Sequence, residues 1–136
     1  MMIHDTSYNI VIWHSKKMPN EQEAATIYER ILQGNLEDLE PSNDIATFLS
    51  ELQEKYPSFE QLQNDDMEKC PWEAPFTTSD CYAILPLKRE WGQLVKMLVS
   101  RALKHNLIYY DPQNKIVYHP IAAFSWLKKL RQHVMP

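Results

Sequence analysis

Glycine is nearly missing from this chain. Only Gly34 and Gly92 occur in 136 residues. They stand far apart, so neither a glycine-rich phosphate loop nor a Gly-x-Ser-x-Gly elbow is possible. Turns must therefore rest on nine prolines and on Asn and Asp side chains. Cysteine is equally scarce. Cys70 and Cys81 do not make a disulfide framework and read as two free thiols in a reducing cytosol. No Cys-x-x-Cys or His-Glu-x-x-His spacing is present, so neither a metal nor a cofactor is expected. The N-terminus shows no basic region followed by a long apolar run, and no run is long enough to span a bilayer. A cytoplasmic protein without a signal peptide or membrane segment is expected.

What the chain does have is charge, unevenly placed. The formal net charge is −4. Residues 1–80 hold 16 acids and 5 bases (−11), whereas residues 81–136 hold 2 acids and 9 bases (+7). The densest acidic stretch is 36–73, with 11 acids against Lys55 and Lys69. Such asymmetry implies either two halves that attract each other within the fold or an acidic face for a basic partner. The basic third (Arg101, Lys104, Lys128, Lys129, Arg131, His133) suggests a nucleic-acid face. A pI near 5.7 and the helix macrodipole both argue against that reading.

The pattern of apolar residues predicts one α+β domain over 1–136, with about four strands in a small mixed or antiparallel sheet packed with helices. Tyr8–His14 reads as an interior strand, because Ile10 and Ile12 face one way and Val11 and Trp13 the other. Asn20 with Glu23 forms a capping-box pattern ahead of a helix that Gly34 stops. A second helix begins near Ser42 and ends at Pro57. Residues 58–61 suggest a further short helical turn. Cys81–Leu87 reads as a strand, with Pro86 expected at an edge or strand end. A long apolar stripe from Trp91 to Leu103 predicts the clearest helix. If the strands flanking it are parallel, 81–111 forms a crossover. Leu107–Tyr110 and Ile116–Tyr118 then form a hairpin around Asp111-Pro112-Gln113-Asn114, with Asn114 in the left-handed position that closes it. A last helix is expected over 121–133.

Between the second helix and the next strand lies NDDMEKCPWEAPF, residues 64–76, part of an expected long acidic loop over 63–80. It lacks the glycine and the alternating oxygens of a calcium loop. Trp72 and Phe76 are costly to leave in water, so they are expected to pin the loop to the core. Pro71 and Pro75 reduce the entropy lost on ordering it. The neighbouring acids then form a wet rim suited to a basic protein surface. Asp65, Asp66, Glu68, Trp72 and Glu73 are the expected partner contacts, with Asp44 and Glu51 of the second helix next. No catalytic residues are expected. The alternative is a small hydrolase or toxin-modifying enzyme built on Cys81 or a histidine.

Tyr56-Pro57 after an acidic helix, Pro71-Trp72 after an acidic run and Leu107-x-x-Tyr110-Asp111-Pro112-Gln113 follow one another in a pattern that resembles a widespread family of small bacterial proteins. Many of these are similar to immunity proteins, which sit in the cytoplasm and block a cognate toxin. The resemblance covers about residues 8–120, and Tyr-Asp-Pro-Gln is its most specific piece. Members often carry glycine where this chain has Asn106, which is still competent for a left-handed helix cap. The resemblance implies no catalytic residues. It implies a cytosolic protein-binding protein that occludes the active site or substrate face of a toxin.

Overall fold

A computed structural model describes residues 7–57 and 69–120. Its elements are β1 (Ser7–Trp13), α1 (Glu21–Leu32), α2 (Asn43–Lys55), β2 (Thr77–Thr78), β3 (Tyr82–Lys88), α3 (Val95–Lys104), β4 (Ile108–Asp111) and β5 (Ile116–Tyr118). The described strands form one sheet in the order β2-β3-β1-β4-β5, and every neighbouring pair is antiparallel. The class is α+β as expected. The fifth strand, β2, lies inside the expected 63–80 loop. Two threonines are too few to carry a strand pattern.

The first strand in sequence is the middle strand in space. Ile10, Val11, Ile12 and Trp13 have no exposed surface, because each face of β1 meets a separate core. Ile10 and Ile12 join Ala83, Leu85, Leu87 and Tyr109 under α2 and α3. Val11 and Trp13 join Ile108 and Tyr110 under Ala24, Ile27 and Ile31 of α1. Helices thus cover both faces. Since β3 and β4 each run antiparallel to β1, they run parallel to each other. The segment 81–111 therefore does cross over, stepping across β1 to reach its place.

Local chemistry explains the element ends. Asn20 accepts from the Glu23 N–H at 2.8 Å, and Glu23 accepts from the Asn20 N–H at 2.9 Å, completing the capping box. Gly34, at φ +83, ends α1, with Gly34 N–H bonded to Ile31 O and Asn35 N–H to Arg30 O. Asn106, at φ 63, ends α3 in the same way through Leu103 O and Ala102 O. Both ends are Schellman motifs.

Three expectations are corrected. The helix expected from Trp91 opens as a 3-10 segment, Arg89–Leu94, with Trp91 itself outside helical geometry, and α-helix begins only at Val95. Pro86 lies within β3, neither at its end nor on an edge strand, since β2 and β1 flank β3. It faces Asn9 across β1, but the Asn9 N–H and C=O both point toward the β4 side. The Asn9–Pro86 pair therefore exchanges no ladder bonds, and the missing proline N–H costs the β1–β3 pairing nothing. In the hairpin turn, Lys115 (φ 56) takes the left-handed position instead of Asn114. The expected turn at 58–61 and the helix over 121–133 lie outside the described residues.

Candidate partner-binding surface

The proline-braced stretch is sewn to the sheet. Trp72 bridges Leu87, Glu73 N–H donates to Pro86 O at 2.8 Å, and Lys88 N–H donates to Pro71 O at 2.7 Å. Trp72 is fully buried. Its indole N–H donates to Tyr56 O at 3.3 Å, and its ring meets Phe76 edge-on at 4.8 Å. The buried Cys70 supports the bend, with its sulfur 3.4 Å from the Trp72 N–H. Tryptophan therefore anchors this segment, as its cost in water demands. With no exposed area it presents nothing to a partner, and Glu73 beside it is the exposed residue. Asp65, Asp66 and Glu68 lie outside the described residues.

The two expected contacts on α2 differ in character. Asp44 is half-buried near the start of the helix, where its Oδ2 accepts from the Ser42 hydroxyl at 3.2 Å and its N–H donates back to Ser42 Oγ at 3.1 Å. A carboxylate in the first turn also suits the helix dipole. Glu51 is engaged within the fold. Its Oε1 lies 3.0 Å from His105 Nε2 and 3.1 Å from Arg101 Nη1, which ties α2 to α3. The hydrogen bond with His105, followed by Arg101, holds the Glu51 carboxyl below the usual range. Here the acidic and basic halves of the chain do attract each other internally.

Other acids gather where β1 ends and β3 begins, the end of the sheet opposite the Trp72–Leu87 bridge. Ser42 N–H bonds to Asp80 O at 2.9 Å and Glu40 N–H to His14 O at 3.0 Å, which brings the segment before α2 against the entrance to β3. Asp38 pairs with Arg30 at 2.9 Å and Glu40 with Lys16 at 3.5 Å.

The Cys81 thiol is not arranged as an activated nucleophile. Burial, and then the Asp80 carboxylate that its Sγ–H meets at 3.3 Å, push the Cys81 thiol up. Activation requires the opposite shift. Among the described histidines, His14 contacts Glu40 O, His105 contacts Glu51, and His119 contacts Pro19 O. No three His, Cys, Asp or Glu side chains among the described residues converge as a metal site. No described helix is long and apolar enough to cross a membrane. Of the basic third, Arg101 and Lys104 lie on α3. Lys128, Lys129, Arg131 and His133 lie outside the described residues.

Among the described residues the most connected polar group is Asp111 in the Tyr-Asp-Pro-Gln motif, and it is buried. Its Oδ1 accepts from Gln113 N–H (3.0 Å), Gln113 Nε2 (2.8 Å) and Asn114 N–H (3.1 Å). Its Oδ2 accepts from Asn114 Nδ2 (2.8 Å) and from the Tyr8 hydroxyl. Burial alone raises a carboxyl, but the bonds from Tyr8, Asn114 and Gln113 outweigh it and hold Asp111 below its ordinary value. Burial and the same bond push Tyr8 up to about 12. The bonds of Asp111 to the Gln113 and Asn114 N–H groups open the turn, as Asp commonly does at this position. The link to Tyr8, 103 residues away, had no signal in the sequence.

The chain matches no protein-family model, no curated protein and no solved structure in comparison with known proteins.

Proposed function

We propose that this chain is a cytosolic protein-binding protein, specifically an immunity protein that neutralises a bacterial toxin by covering its active site or substrate face. The observation that carries the reading is the concentration of acid in residues 36–73. The stretch around Trp72 is bonded to β3, α2 is packed onto the sheet, and Asp44 and Glu73 stand at its surface. The resemblance to immunity-type proteins through Pro71-Trp72 and Tyr110-Asp111-Pro112-Gln113 supports the same reading.

The contact set consists of Asp44 and Glu73, with Asp65, Asp66 and Glu68 of the adjoining stretch, against a basic surface of the toxin. Glu51 serves at the margin, because its charge is already shared with Arg101 and His105. Trp72 serves by anchoring. The acidic field speeds encounter, so association slows as salt rises. Co-expression with members of a panel of bacterial toxins, one per strain, is the test. Protection of the host against one of them supports the reading, and continued killing by every one overturns it.

A further inference from the structure

The turn after β4 does more than reverse the chain. Val11 pairs with Tyr110 at the end of the β1–β4 ladder. Continuing that register by two residues places Asn9 opposite Pro112, which has no N–H to give. The Gln113 side chain fills this rung. Its Oε1 accepts from the Asn9 N–H and its Nε2 donates to the Asn9 C=O, both at 2.9 Å. Asp111 orients that amide through Gln113 Nε2, and it binds Tyr8 on the same strand. Asn114 Nδ2 closes the set, reaching Tyr8 Oη at 3.0 Å. Four side chains thus clamp the turn to the start of β1.

β5 is the element that depends on this clamp. It pairs through three residues only, and Ile116 and Tyr118 are exposed. A three-residue pairing at a sheet edge is marginal on its own. Beyond the ladder, β5 is held by Val117 packing under α1, by the Tyr118 ring on Tyr109 at 5.6 Å, and by His119 on Pro19 O. β4 is fully built into both cores. We infer that the Tyr8–Asp111–Gln113–Asn114 cluster is a clasp that closes β5 as a strap over the outer edge of β4, so that losing the clasp frees β5 from its turn end while the other strands stay paired.

Residue-resolved hydrogen exchange by NMR tests this inference. In Asp111→Ala, exchange of the Ile116 and Tyr118 amides, which face Asp111 and Tyr109 across the ladder, should rise tenfold or more while the ladder amides of β3, such as Leu85 and Leu87, keep their protection. No change at β5, or an equal rise in β3, overturns the proposal. If Asp111→Ala does not fold, Gln113→Ala decides by the same comparison, since it removes only the borrowed rung and one Asp111 contact.

Discussion

Replacing Trp72 with alanine should cost the domain about 4–7 kcal/mol, at or above the ~3–5 kcal/mol usual for truncating a buried aromatic. Complete burial of a tryptophan removes roughly 200 Å² from water, worth up to about 5 kcal/mol at ~25 cal/mol per Å². A compact denatured chain already hides part of that area, which lowers the figure by about 10–40%. The indole bond to Tyr56 O adds about 1 kcal/mol net, and the edge-on contact with Phe76 adds about 0.5–1.5 kcal/mol. A domain of this size has about 5–15 kcal/mol in total, so the variant should sit near the edge of folding. Urea denaturation followed by far-UV circular dichroism provides the measurement. Trp72→Phe separates the contributions. It keeps a ring against Phe76 and Leu87 but leaves the Tyr56 carbonyl without its donor, for a loss of about 1–2 kcal/mol. A Trp72→Ala protein that loses less than about 1 kcal/mol with an unchanged m-value would refute the anchoring role.

Four further outcomes are expected. A carboxyl held below the ordinary Asp value of 3.8 contributes stability that is complete above that value and is lost as pH falls through the lowered one. Asp111→Asn should therefore flatten the acid limb of the stability–pH curve below about pH 4. Tyr8, raised from 10.0 to about 12, contributes fully below pH 10 and loses its contribution as pH climbs through about 12, so Tyr8→Phe should remove that alkaline loss in the same titration. Asn20→Ala removes the cap of α1 and should cost about 1 kcal/mol by urea titration. Because Cys70 and Cys81 are buried and the Cys81 thiol is raised, both should react with a thiol reagent far more slowly in the native protein than in urea. Equal rates would refute their burial.

Much of this fold is legible from local chemistry. Asn20 with Glu23, Gly34 and Asn106 mark helix ends because capping depends on a few neighbouring residues. The doubly apolar Ile10–Trp13 run correctly signals an interior strand, since each face of β1 has a core of its own. Features that depend on distant partners are not legible. Pro86 is tolerated mid-strand only because Asn9 turns its bonds toward Gln113. Trp91 continues the apolar stripe of α3, yet its backbone leaves helical geometry. Lys115, not Asn114, adopts the left-handed position, while the Asn114 side chain bonds Tyr8 and Asp111, residues 106 and 3 positions away. For the candidate partner-binding surface, the sequence identifies Trp72 as an anchor but also counts it among the contacts, which its complete burial argues against. It does not show that Glu51 is already shared with His105 and Arg101, as no local pattern links residues 50 positions apart.

The place of β1 has a consequence during synthesis. It is made first, but its two neighbours in the sheet are residues 82–88 and 108–111. At about 5–20 residues per second, the ribosome needs roughly 5–20 s to deliver the last of them. Throughout that interval an uncharged Ile-Val-Ile-Trp segment waits without its ladder partners, the kind of stretch that pairs readily with a neighbouring nascent chain. The hazard in making this protein thus lies in the interval between β1 and β4, and slowed translation there should lower its yield more than slowed translation after β4.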